Sequence, residues 1–343
     1  MRRLSLAAGI LGIFALGACS GSGSNGGAAS GGGAGASSGG ASSGGGPSSG
    51  GASGGGAVPT VGGCPIFTAD DEWNRDISSA PVDATWTQRL RDIVGAKRIH
   101  PDFGGEYGIP YNVVSSSQPA VPIAFDDYPD ESDPGPYPFP EPGSIAIEGN
   151  APTSCDGDCH VLVVETGSCS LYEAWACEHR GGQWHCGNGA KWDLTRKSYG
   201  QRPMGWTSGD AAGLPILPGL ARFEEAEAGA IRHAIRFTMH CSMAGYVEPA
   251  THRAAAGDCG SDAPPMGLRV RLAASYDVSS APPRARAILT AMQRYGMILA
   301  DNGSDFYFQG DENPGWTDDD LDALKAVPAS AFEAITPGPI GNE

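Results

Sequence analysis

Between residues 58 and 343 the apolar positions fall into many short runs, most with a period of two and a few with a period near 3.6. Val82 to Val94 has helical spacing, with Trp86, Leu90 and Ile93 on one face. Tyr111–Val114, Val121–Phe125 and Ser144–Ile147 read as short strands. His160–Glu165 and Ser170–Trp175 flank a Thr166-Gly167 turn and predict a hairpin. Phe223–Ala228 predicts a short acidic helix, and Ile231–Met239 a strand beyond Gly229. Leu268–Ala273 is strand-like, while Pro282–Tyr295 is the clearest helix, with Ile288, Leu289 and Met292 on one face. Met297–Ala300 and Phe306–Gln309 flank Asn302-Gly303, a turn pair that predicts a second hairpin. Thr317 caps a last helix whose Asp318, Asp319 and Asp320 suit the positive end of its dipole. Short antiparallel strands and hairpins with a few flanking helices predict a β-rich α+β domain.

The first 57 residues follow another pattern. Arg2 and Arg3 precede an apolar stretch, Leu4 to Leu16, that is too short to span a bilayer and fits a removable signal. Leu16-Gly17-Ala18-Cys19 then resembles the lipobox of bacterial lipoproteins. That resemblance implies cleavage before Cys19, acylation of its sulfur and a membrane as the first partner. Residues 20–57 are almost all Gly, Ser and Ala, a composition too poor in side-chain area to offset its ordering entropy. The division expected is a signal peptide at 1–18, an acylated cysteine with a flexible tether at 19–57, and one globular extracytoplasmic domain at 58–343. The localisation expected is the cell envelope. Gly40-Ala41-Ser42-Ser43-Gly44 matches the hydrolase pattern G-x-S-x-G, but no strand or helix flanks it to build a nucleophile elbow.

The formal charge is −17, and loss of Arg2 and Arg3 with the signal takes it to −19. A surface so acidic argues against nucleic acid and anionic lipid as partners. Nine cysteines become eight once Cys19 is acylated, an even set that reads as a disulfide framework in an exported chain. The local pairs expected are Cys155–Cys159, Cys177–Cys186 and Cys241–Cys259, with Cys64–Cys169 tying the start of the domain to its middle. A zinc reading of the same residues competes, although no C-x₂-C pair occurs.

Candidate chemistry is dispersed. Gly205 to Leu220 mixes Asp210, Thr207, Ser208 and Trp206 in tightly turning backbone. With Ile231–Phe237, Arg294–Gly303, His100–Gly104 and Pro264–Gly267, it resembles an uncharacterised group of exported bacterial proteins. The resemblance covers most of Cys64 to about Ile335, and it implies a shared fold and an extracellular address but no reaction.

Asp193, Asp210 and Asp301 are carboxylates in turn-rich contexts. Two of them facing each other would suit glycoside hydrolysis, one as acid and one as base or nucleophile; alternatively each caps its own turn. His100, His160 and His233 could, if they met, bind a metal or act as a base; alternatively each is a hydrogen-bonded structural histidine. Asp126, Asp127, Asp130, Glu131 and Asp133 crowd one loop, the oxygen-rich composition that can bind Ca2+, although it lacks the EF-hand order. Trp73, Trp206 and Trp316, with Tyr107, Tyr137 and Tyr307, would stack on sugar rings if exposed, but most large aromatics are core.

The expectation is an envelope lipoprotein acting on extracellular or cell-wall polysaccharide as a hydrolase or lyase, with Asp210 as acid or base and His233, Asp301 and Asp193 as further candidates. His100, His160 and Trp206 are candidate binding residues. The alternative is a non-catalytic binding or structural lipoprotein.

Overall fold

The computed structural model describes residues 58–342, so the signal, Cys19 and the tether lie outside the described residues. The chain begins with a small ribbon, β1 (Thr60–Val61) against β2 (Cys64–Pro65), followed by helix α1 (Ala84–Val94). Next come β3 (His100–Asp102), β4 (Tyr111–Val114) and β5 (Ile123–Phe125), each destined for a different sheet. The middle of the chain supplies β6 (Val161–Glu165), β7 (Ser170–Trp175), β8 (Glu178–Arg180), β9 (Gln183–Cys186) and β10 (Asn188–Asp193). Helix α2 (Phe223–Glu227), β11 (Ile235–Met239), β12 (Arg269–Leu272) and helix α3 (Pro283–Arg294) follow. The last elements are β13 (Met297–Asn302), β14 (Tyr307–Gln309), helix α4 (Asp318–Lys325) and β15 (Phe332–Ala334).

The strands form a six-stranded sheet in the order β15-β12-β13-β11-β14-β3, a four-stranded sheet β10-β7-β6-β4 and a three-stranded sheet β5-β9-β8. With the helices they make the β-rich α+β fold that the pattern predicts. Strand β6 is apolar at successive positions because each of its faces has a core. Leu162 and Val164 join the large core built on the six-stranded sheet, whereas Val161 and Val163 pack with Tyr137, Phe139 and Trp184 in a second, smaller core.

Local signals account for the helices. The Asp83 side chain accepts the Trp86 N–H at 2.9 Å at the start of α1. Thr317 Oγ1 accepts the Asp320 N–H at 3.3 Å at the start of α4. Ile288, Leu289 and Met292 of α3 are buried, as their spacing requires.

Two sequence expectations fail. Strands β13 and β14 are not a hairpin, because β11 lies between them, parallel to β13 and antiparallel to β14. The Phe306 N–H donates to Thr238 O and the Gly303 N–H to Met239 O, so the connection through Asn302-Gly303 passes over the end of β11. Ser144–Ile147 is not a strand either. The Asn112 side-chain amide donates to Ala146 O at 2.8 Å and accepts from its N–H at 2.9 Å, which supplies what a neighbouring strand would have given. The aromatic reading also changes, since Trp73 and Tyr137 have no exposed surface and Trp316 is buried.

Four disulfides staple the domain: Cys64–Cys169, Cys155–Cys159, Cys177–Cys186 and Cys241–Cys259. They mark a domain that matures in an oxidising compartment. Among the described residues no helix is long and apolar enough to cross a membrane.

Candidate functional site

The segment from Gly205 to Leu220 is a loop carried inside the large core. Ala212, Leu214, Ile216, Leu217 and Leu220 are buried, so the loop's polar backbone must find partners within the protein. Glu173, on β7 and fully buried, accepts the Ile216 N–H at 2.9 Å and the Leu217 N–H at 2.8 Å. Arg202 donates to Thr207 O at 2.7 Å, and Asn188 donates to Ser208 O. Gly213 turns the chain at φ +70°, where a Cβ would stand 2.3 Å from Thr251 Oγ1.

At the tip of this loop Asp210 meets Arg236 of β11. Arg236 Nη2 donates to Asp210 Oδ1 at 2.5 Å and Nε donates to Oδ2 at 3.1 Å, a two-pronged grip with both side chains buried. Arg236 Nη1 donates to Gln309 Oε1 at 2.7 Å, and Nη2 lies 3.8 Å from Asp301 Oδ2. Register explains this arrangement: Phe237 pairs with Phe308, which leaves Arg236 and Gln309 facing, and Gln309 pairs with Asp102. Asp301 reaches the same place from the end of β13, where a bulge after Phe237 sets Asp301 against Thr238.

His160 completes the group from the four-stranded sheet. Its Nδ1 donates to Glu148 Oε2 at 2.6 Å and its Nε2 donates to Gly209 O at 3.0 Å. Both partners are acceptors, so the buried ring carries two protons. Burial opposes that charge, but the Glu148 carboxylate prevails and lifts the ring to about 9. Burial likewise opposes ionisation of Glu148, and His160 overcomes it, holding this carboxyl below its ordinary value.

Burial pushes Asp301 up to about 7, helped by the Asp210 charge and opposed by Arg236. Its side chain nevertheless keeps 29% of its surface open to solvent, and Glu148 keeps 27%. Asp158 and Asp102 are exposed as well; the Asp158 charge acts on Asp301 and His160, and Arg236 acts on Asp102. Burial raises the Asp210 carboxyl and Arg236 pulls it back. Asp210 has no exposed surface.

The remaining candidates lie elsewhere. Asp193 accepts the Thr195 N–H at 2.9 Å and its hydroxyl at 2.6 Å, the turn-capping alternative. His233 is buried, with Nε2 3.0 Å from Glu225 Oε2 and Nδ1 donating to Ala234 O. His100 stacks on Tyr307 with ring centres 4.2 Å apart. No hydrogen bond or ion pair among the described residues joins any two of His100, His160 and His233. Trp206 is half-buried beside the Arg202 guanidinium, 5.6 Å away.

In the acidic loop, Asp126 pairs with Arg180, Glu131 accepts the Thr207 N–H, and Asp133 accepts from Lys191 N–H and Arg202. Glu148, Asp158 and His160 bring ligand-type atoms within 4.8 Å of one another. Both His160 nitrogens already donate, which leaves that ring no lone pair for a cation.

Sequence reasoning named Asp210, Asp301 and His160 but missed Arg236, Glu148, Glu173 and Asp158. A signal for Arg236 existed, since a cation between Ile235 and Phe237 in a central strand requires a buried anion. Comparison of the chain with protein families, with curated proteins and with solved structures finds no match.

Proposed function

We propose that this protein is a lipid-anchored envelope lipoprotein whose domain cleaves extracellular or cell-wall polysaccharide by acid–base chemistry. Asp301 is the proton donor and Glu148 the base or nucleophile. The observation carrying this reading is a pair of solvent-reaching carboxyls, both acted on by Arg236, whose protonation is driven in opposite directions. Asp301 keeps its proton near neutrality, while Glu148 is ionised. Asp210 is a positioning residue, since it is fully buried and holds Arg236 in place.

The test is release of reducing ends or unsaturated products from a polysaccharide panel. Asp301→Asn is expected to lose at least about a hundredfold in rate while folding normally. Wild-type activity is expected to fall as pH rises through about 7, because the donor must be protonated. Full activity in Asp301→Asn, or no pH dependence there, would sink the assignment.

One observation favours the non-catalytic alternative. Glu173, His160 and Arg202 each satisfy backbone of the buried loop, a purely structural use of polar side chains. On that reading Asp301→Asn alters no product yield on any substrate.

Anchoring rests on the lipobox resemblance at Cys19, while the disulfides support the extracytoplasmic address. Cys19→Ser is expected to move the protein from the membrane fraction to the soluble fraction; continued sedimentation with membranes would contradict lipidation.

A further inference from the structure

Beyond the end of β11 the chain continues as His240-Cys241, and the disulfide brings Cys259 back to this point from 18 residues further on. The ligand-type atoms of His240, Cys241 and Cys259 all lie within 4.8 Å of one another. His240 Nε2 is 3.4 Å from Cys259 Sγ. Two ligands at usual Zn–N and Zn–S distances on a tetrahedral ion are about 3.5 Å apart. The imidazole is therefore already at ligand spacing from that sulfur.

The other ring nitrogen is fixed. His240 Nδ1 is 2.6 Å from Asp305 Oδ1, and the His240 backbone N–H donates to the same oxygen at 2.9 Å. Asp305 has no exposed side-chain surface and is also held by Lys97 Nζ at 2.5 Å. A carboxylate that takes the Nδ1 proton leaves the Nε2 lone pair pointing at the sulfurs, the arrangement found behind metal-bound histidines. The ring is 40% exposed. Its neighbourhood opens into a recess of about 240 Å³ bounded by Asp92, Ile93, His240, Cys259 and Asp262, so a solvent ion has a route in and a fourth position is open.

We propose that Cys241, Cys259 and His240 form a redox-gated site for a thiophilic divalent cation of the Zn2+ class. In the bridged state the sulfurs are committed to each other and the site is closed. A dithiol reductant opens it: one of its thiolates attacks a sulfur of the bridge, its second thiol resolves the mixed disulfide, and the reductant leaves as its own disulfide. Two electrons and two protons pass to Cys241 and Cys259, which become thiols. Cation binding then releases both thiol protons, giving two thiolates and one imidazole as ligands. The Cα atoms of the two cysteines are 6.0 Å apart, close enough for both sulfurs to remain on one ion.

The experiment uses the full chain, reduced with dithiothreitol without denaturant, desalted and loaded with Zn2+ or Co2+. The reduced wild type is expected to retain one more zinc per chain than Cys241→Ser/Cys259→Ser, which keeps the other three bridges. Its cobalt form is expected to show sulfur-to-metal charge-transfer absorption that the double variant lacks. Asp305→Asn is expected to bind about 10–100-fold more weakly, and His240→Ala more weakly still. Equal zinc in wild type and the double variant would overturn the proposal. So would zinc held by reduced wild type with unchanged affinity in His240→Ala, which is what random thiols on an opened chain would give.

Discussion

Arg236→Leu is expected to lower the free energy of unfolding by about 3–5 kcal/mol, as loss of one partner from a buried ion pair does. The Asp210 carboxylate has no exposed surface, and Arg236 is the only side chain among the described residues that donates to it. Without the guanidinium, Asp210 must either remain charged and buried with no side-chain donor or take up a proton, and both are costly. Gln309 loses its partner as well. The control is Asp210→Leu/Arg236→Leu, which removes both charges and is expected to recover most of the loss, because a buried pair contributes little beyond an apolar replacement. Urea unfolding at neutral pH with the disulfides intact reads both variants. A single variant within about 0.5 kcal/mol of wild type would show that Asp210 is not dependent on Arg236. Loss of Arg236 also removes the cation that restrains Asp301, so the two strands and the core loop that share this arginine are coupled to the proposed proton donor.

Legibility in the sequence followed the range of the interaction. Helices α1, α3 and α4 carry their own start signals or apolar stripes, and the β6–β7 hairpin has its turn between its strands. Three of the disulfides close over 4, 9 and 18 residues, and pairing those leaves Cys64 and Cys169 for each other. The hairpin expected at Asn302-Gly303 failed because β11, more than fifty residues upstream, takes the place between the two strands. No local feature of either strand records that insertion. The candidate site shows the same divide. Asp210 and Asp301 stand out as carboxyls in turns, but their roles depend on Arg236 and on Glu148, which come from other parts of the chain. Glu148 sits just after a stretch that reads as a strand and gains its ionised state mainly from His160, with a smaller contribution from Arg236. Asp193, which looked equivalent to Asp301 by its sequence context, is spent on its own turn.

Stability is expected to fall by about 3 kcal/mol as pH rises from 6.5 to 9, through His160 alone. Its ring is buried, and in the folded protein it holds its proton to about 9. An unfolded histidine gives its proton up near 6.5. Between those values the folded state binds more protons than the unfolded state, so the free energy of unfolding decreases with pH. A difference of about 2.5 units at 1.36 kcal/mol each gives the size. The contribution is present in full below the unfolded value and is lost as pH passes the folded one. For Glu148 the sign is opposite, because it is held below its ordinary value; the unfolded chain takes up that proton first, so the Glu148 contribution is lost as pH falls. Glu173 and Asp301 are each raised to about 7, so they too reduce stability as pH rises, but their effect is complete near neutrality. The window from 7 to 9 is therefore dominated by His160, with only the last part of the Glu173 and Asp301 titrations at its lower edge. His160→Gln, which retains an amide donor for Glu148 or Gly209 without a titrating ring, is expected to be less stable at pH 6.5 and nearly flat from 7 to 9. Urea midpoints measured across that range compare the two proteins directly. A wild-type curve as flat as that of the variant would mean that the ring is neutral in the fold, and that the Glu148–His160 pair is not the charged contact its geometry indicates.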